Sequence, residues 1–169
     1  MSSPSPVPVE LHDVTLRRVP IDIHARAQEH TAELLRELYL IAQQVSGSED
    51  SGLPARLVAL VAELGNQFGA LTSVQDQQLD AAVAGGVAEV DVVYRIPREA
   101  AAASQHLGDV LDEADEFCRR GEHLLTLATP DDLLMYRRWY LGEFVAQLAG
   151  APATSWPDYL ARHEGSTET

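Results

Sequence analysis

The densest run of chemistry-bearing side chains is Met135-Tyr136-Arg137-Arg138-Trp139-Tyr140-Leu141-Gly142-Glu143-Phe144-Val145-Ala146-Gln147. On a helix, Trp139, Glu143 and Gln147 lie along one side at steps of four. Trp, Tyr and Arg dominate interface hot spots, since each offers a large contact area with a polar handle. An interface built here would use Arg137, Arg138, Trp139 and Glu143. A helix this aromatic also suits a central core position or a ligand cleft. In the core, the two arginines would satisfy acidic groups within the fold.

His30 sits in Glu29-His30-Thr31-Ala32-Glu33. A helical histidine flanked by acids is the local chemistry of a phosphoacceptor, because a carboxylate orients the imidazole and assists proton transfer. The nucleotide-binding glycine boxes of a kinase are absent, as is a following proline. A surface or structural histidine is the plainer expectation.

Asp109, Asp112, Glu113, Asp115 and Glu116 crowd one segment. Carboxylates at three- and four-residue steps could hold a hard cation, but a solvated helix face accounts for them equally. Asp115 with Arg119 and Glu116 with Arg120 have the spacing of acid-before-base pairs. A di-iron bundle needs Glu-x-x-His pairs, and none of the six histidines has Glu three residues before it. Gly-x-Ser-x-Gly and P-loop patterns are missing. Cys118 falls on an apolar stripe four after Ala114, as a small core thiol does. These readings give no catalytic residue, metal or cofactor.

Net charge is −14, from 26 acids against 12 bases, and every base is Arg. That balance argues against nucleic acid and anionic membranes, which want clustered positive charge. It favours a protein partner, basic in character. One cysteine excludes an internal disulfide framework and points to a reducing, cytoplasmic compartment. The start, Met1 to Pro8, lacks the apolar segment of a signal peptide. No apolar run approaches the ~20 residues of a membrane span.

The elements that must hold these residues form two copies of one unit. Arg18-Val19-Pro20-Ile21-Asp22 matches Arg95-Ile96-Pro97-Arg98-Glu99. His30 falls near His106, Pro54 on Pro130, Leu57 on Leu133 and Phe68 on Phe144. Repetition of this kind sets architecture before it sets activity. Each copy reads strand–helix–helix. The first has a strand over 14–19, a helix from Ile21 to about Val45 and a loop over 46–52. A helix over 54–70 follows, then a short helix over 73–84 capped by Thr72 or Ser73 and stopped by Gly85-Gly86. The second has a period-2 strand, with Ala88, Val90, Val92, Tyr94 and Ile96 inward. A helix from Pro97 to Arg120 closes on Gly121. After a linker over 122–128, Thr129 caps a helix to Ala149, and a terminal turn ends near His163.

Asp112-Glu113-Ala114-Asp115-Glu116-Phe117-Cys118-Arg119, Leu124-Leu125-Thr126-Leu127-Ala128-Thr129-Pro130 and Arg138-Trp139-Tyr140-Leu141-Gly142-Glu143-Phe144 resemble a family of small, largely uncharacterised actinobacterial proteins. Leu16-Arg17-Arg18-Val19-Pro20, Glu29-His30 and Leu34-Leu35-Arg36-Glu37 are similar to that family's first helix. The resemblance spans about residues 14–157. Such proteins accompany anti-sigma-type ATP-binding proteins, their antagonists and serine phosphatases, which implies signalling by partner switching. It carries no catalytic residues.

The expectation is a mainly α fold: a four-helix bundle of two pseudo-twofold strand–helix–helix repeats with a short two-stranded sheet. Tails occupy 1–8 and 164–169. A single helical domain covers 9–163, with repeats at 14–86 and 88–150 and a C-terminal turn at 151–163. The expected role is that of a non-enzymatic cytoplasmic regulator or adaptor acting through protein contacts, with a homodimer left open. Two alternatives stand beside it: a small-molecule or metal sensor with its pocket at the pseudo-dyad, and a phosphotransfer protein using His30.

Overall fold

The computed structural model describes residues 8–44, 52–121 and 127–164. The expected tails, the loop at 46–52 and the linker at 122–128 fall wholly or largely outside the described residues. The chain runs β1 (Leu11–Pro20), α1 (Ile21–Gln44), α2 (Gly52–Ala84), β2 (Glu89–Pro97), α3 (Glu99–Arg120), α4 (Asp131–Leu148) and α5 (Trp156–Glu164). It is mainly helical, with one two-stranded antiparallel sheet.

β2 forms because its apolar residues alternate: Val92, Tyr94 and Ile96 are buried, while Asp91, Val93 and Arg95 face out. β1 alternates less cleanly because it carries a bulge. Pairing runs from Leu11↔Pro97 to Leu16↔Val92 and resumes at Val19↔Val90, one residue out of step. The extra residue leaves Arg17 and Arg18 both exposed and returns Val19 to the core. Arg18 adopts φ 54°, a left-handed conformation that costs a side-chain-bearing residue roughly 1 kcal/mol. Two acids on β2 hold it there. Asp91 Oδ1 accepts the Arg18 backbone N–H at 2.7 Å, and Glu89 Oε1 accepts its Nε–H at 2.8 Å.

An isolated two-stranded sheet exposes two rows of unpaired backbone groups. Here helix glutamines cover both edges. Gln147 of α4 donates to Thr15 O at 2.8 Å and accepts the Thr15 N–H at 2.9 Å. On the opposite edge, Gln75 and Gln78 of α2 donate to Val93 O and Asp91 O at 2.8 and 3.1 Å.

α2 is one continuous helix of 33 residues, where a break near residues 70–73 was expected. Thr72 and Ser73 do not cap a new helix. Their hydroxyls bond back to Gly69 O and Ala70 O at 3.5 and 3.4 Å, which satisfies them inside the helix. Continuity makes α2 long and apolar enough, by length and composition, to cross a membrane, and 6% of its most apolar stretch is buried. It ends as the double glycine predicts. Gly86 takes φ 65°, its N–H bonds Val83 O, and Val87 N–H bonds Ala82 O. A left-handed residue at this step is what glycine tolerates best.

One expectation about helix ends holds and one needs correction. Gly121 is the C-cap of α3, with an extended backbone, and donates to Phe117 O at 3.2 Å. The N-cap of α4 is Pro130, not Thr129, because the Thr129 hydroxyl is committed to Asp115 of α3. Ser155 caps α5, with its Oγ accepting the Asp158 N–H and donating to the Asp158 carboxylate.

α1 packs on α2 and α4, and α3 packs on the same two helices. α2 lies against β2, while α4 and α5 lie against β1. The core divides into two clusters. One joins the sheet to α4 and α5 through Leu16, Val92, Tyr94, Tyr136, Trp139, Phe144 and Trp156. The other joins α1, α2 and α3 through Leu34, Leu38, Leu57, Val110, Leu111, Ala114 and Cys118.

Candidate functional site

Between the two core clusters, α1, α3 and α4 leave a cavity of about 210 Å³. Five leucines supply most of its apolar wall: Leu34 from α1, Leu107 and Leu111 from α3, Leu133 and Leu141 from α4. Polar groups gather on the α1–α4 side. α1 contributes His24, Gln28, His30 and Thr31, and α4 with its approach contributes Thr129, Tyr136, Arg137 and Tyr140.

Asp115 anchors this polar wall from beneath. It is buried, at 1% exposure. Its Oδ1 accepts both the N–H and the hydroxyl of Thr129, at 3.0 and 2.6 Å. Its Oδ2 accepts Arg137 Nη2 at 2.5 Å, and the same nitrogen reaches Asp112 Oδ1 at 2.7 Å. Burial works to raise the Asp115 carboxyl, but the Thr129 hydroxyl, Arg137 and the Thr129 N–H outweigh it and hold the group below its ordinary value. Asp115 is therefore ionised, and Arg137 compensates it.

Thr129 Oγ1 gives its single proton to Asp115. It can then only accept from His30 Nε2, 3.2 Å away. In the neutral imidazole this puts the proton on Nε2 and leaves Nδ1 with a lone pair. The carboxylates expected to orient His30 do not do so: Glu29 and Glu33 are exposed, and Thr129 takes that role. His106, its partner in the sequence repeat, is exposed on α3 and does not line the cavity.

His24 lies a turn and a half earlier, buried, with Nδ1 2.8 Å from the Tyr136 hydroxyl. Burial lowers its pKa, and Asp80 and Asp76 only partly oppose that. The imidazole is neutral at pH 7. Burial likewise raises the Tyr136 and Tyr140 hydroxyls, and lifts Tyr94, 2.6 Å from Tyr140, to about 12. All three tyrosines are neutral hydrogen-bonding groups rather than bases.

The four expected interface residues divide. Trp139 is 1% exposed, packs on Trp156 at 5.5 Å and Tyr136 at 5.8 Å, and donates to Thr154 O at 2.9 Å. Glu143 is buried too, and its Oε2 accepts from Gln147 Nε2 at 2.6 Å and from the Thr154 N–H at 2.9 Å. Both hold the α4–α5 connection to the core, which removes them from the protein surface. The Arg137 side chain is 14% exposed and lines the cavity. Arg138 is exposed and lines a second concavity, of about 270 Å³, between α3 and α4 with Asp109, Asp112 and Arg137.

The acidic face of α3 is largely paired. Glu113 meets Arg56 at 2.6 Å, and Glu116 meets Arg120 at 3.9 Å as its spacing implies. Asp115 pairs with Arg137 in place of the expected Arg119, because it faces inward. Among the described residues no three metal-binding side chains converge. Cys118 is buried, and burial with help from Asp115 raises its thiol to about 11, a poor nucleophile.

Sequence reasoning gave His24 and Tyr136 no role of their own, cast Thr129 as a helix cap and read Asp115 as part of an acidic face. A signal existed for His24: it begins a series of three- and four-residue steps through Ala27, Thr31, Leu34 and Leu38 along the inner face of α1. No local signal connects Asp115 with Thr129, which meet only when the chain turns from α3 into α4. No protein-family model, curated protein or solved structure matches this chain.

Proposed function

We propose that the protein is a non-enzymatic sensor that binds a small molecule in the cavity between α1, α3 and α4. One observation carries this reading: His24, His30, Thr129, Tyr136 and Arg137, drawn from three places in the chain, converge on one side of an otherwise leucine-lined space. A few oriented polar groups in an apolar concavity are what small-molecule recognition requires. The cavity lining holds no cysteine or serine, its tyrosines are neutral, and the Thr129 hydroxyl is engaged by Asp115 and His30.

The architecture in this proposal is a four-helix bundle of two related units, β1-α1-α2 and β2-α3-α4. The reciprocal packing of α2 on β2 and α4 on β1 supports it, as do the glutamine-covered edges. The cavity lies to one side of such an axis, because α2 contributes no lining residue.

Thermal-shift screening against metals and metabolites tests the sensor, with Leu107→Trp filling the cavity. A compound that raises the melting point of the native chain but not of the filled variant supports it. If nothing stabilises the protein, or stabilisation survives Leu107→Trp, the sensor reading falls.

A regulatory adaptor remains the second reading. Its support is the exposed apolar face of α2, where Val74 is 68% exposed with Leu71 beside it, together with exposed Arg138. A native pulldown whose captured protein is lost with Val74→Glu or Arg138→Glu would favour it over the sensor.

A further inference from the structure

We infer that the cavity takes a small, uncharged ring compound bearing a hydrogen-bond donor, of the size of a phenol or an indole. This rests on the sensor reading and narrows it to a ligand class.

Size comes first. A cavity of about 150 Å³ lined by apolar side chains accommodates benzene, so about 210 Å³ leaves room for a ring with a short substituent or a second fused ring. Leu34, Leu107, Leu111, Leu133 and Leu141 give such a ring apolar contact on several sides.

Charge comes next, and it excludes both signs. The one cation in the wall, Arg137, is held by Asp112 and Asp115. A carboxylate or phosphate entering the cavity would find no uncompensated positive charge and would approach the Asp115 carboxylate. An ammonium would fare no better. Both Asp115 oxygens are already engaged, Oδ1 by Thr129 and Oδ2 by Arg137. Desolvating an ion without a partner is costly. A neutral ligand avoids that cost.

Polarity supplies the last element. In the neutral imidazole, the Thr129 contact puts the His30 proton on Nε2, so its remaining nitrogen is an acceptor. The Tyr136 hydroxyl, anchored by His24, adds a second polar contact. A ligand O–H or N–H answers this acceptor, and a ring without one leaves it unmet.

The test compares four probes of similar size: p-cresol, toluene, benzoate and benzylamine, each titrated into the full chain and followed by amide chemical shifts. p-Cresol should shift the Thr31, Leu107 and Thr129 amides saturably and bind roughly tenfold tighter than toluene, the worth of one hydrogen bond. Benzoate and benzylamine should bind more weakly than toluene. His30→Phe, with its fold confirmed by circular dichroism, should reduce p-cresol to the affinity of toluene. Benzoate or benzylamine binding as tightly as p-cresol overturns the ligand class and leaves the cavity a binding site. p-Cresol affinity unchanged by His30→Phe overturns the assigned acceptor and with it the inference. If no probe shifts these amides while the screen above finds a cavity ligand of other chemistry, the inference alone fails. If both are silent, the sensor reading fails with it.

Discussion

Asp115 on α3 receives two hydrogen bonds from Thr129, one from the backbone and one from the hydroxyl, through a single carboxylate oxygen. That relationship ties the entry to α4 onto α3, sets the tautomer of His30 and places Arg137. Asp115→Ala would strand Arg137 beside Asp112 alone and leave the buried Thr129 N–H without its acceptor. The expected loss is about 3 kcal/mol, in the range for breaking a buried pair. Denaturant unfolding of the variant measures it, and a loss below about 0.5 kcal/mol, the size of an exposed pair, would contradict the burial argued here.

Acid should destabilise the protein in two stages. His24 has a folded pKa below its unfolded value of about 6.5, so its unfolded form takes up a proton first. Its contribution is complete above that value and declines as pH falls below it. Asp115 is also depressed in the folded state. Its contribution is complete above the ordinary carboxylate value of about 3.9 and is lost as pH falls through the folded pKa. Unfolding free energy measured against pH should show the upper slope in the native chain and lose it in His24→Asn. A slope unchanged by that substitution would assign it to another group.

Trp139 is a structural residue. Trp139→Ala should cost about 3–5 kcal/mol through the cavity left among Tyr136, Tyr140 and Trp156. For a chain of this size the melting temperature should fall by roughly 10 °C. A variant that melts within about 2 °C of the native chain, yet no longer retains a partner, would return Trp139 to the surface.

Gln147 behaves toward Thr15 as a neighbouring strand would, giving one hydrogen bond and receiving one. Gln147→Leu keeps much of the packing and removes both. Hydrogen exchange at the Thr15 amide should accelerate, with a stability loss of about 1–3 kcal/mol for the unsatisfied groups. Unchanged protection at Thr15 would mean the strand edge is satisfied some other way.

Ser73 distinguishes one long helix from two short ones. Within a continuous α2, Ser73→Ala should stabilise by a few tenths of a kcal/mol, because alanine is the better interior helix former. If Ser73 capped a separate helix, the same change would cost about 1 kcal/mol.

Strand β2 was legible at once, because alternating Val92, Tyr94 and Ile96 need no tertiary information to choose a face. So were α1, α3 and the stop at Gly85-Gly86, where glycine alone accepts the turn without strain. Aromatic content allowed α4 a core position beside an interface, but it could not choose between them for Trp139 and Glu143. Spacing along α4 shows which residues share a side, but not whether that side meets solvent or Trp156 and Thr154.

The chain by itself determined α1, α3, α4 and its two strands through periodicity and local stops, and the pairing of those strands because neither is stable alone. Tertiary structure decided the rest. It set Gln75 and Gln78 of the continuous α2 against the edge of β2. It diverted Thr129 from capping α4 to binding Asp115, because a buried carboxylate is a stronger demand than a helix end near solvent. It also brought His24, His30, Tyr136 and Arg137 together around one cavity. Residues separated by a hundred positions carry no mark of adjacency until the hydrophobic clusters on either side have formed.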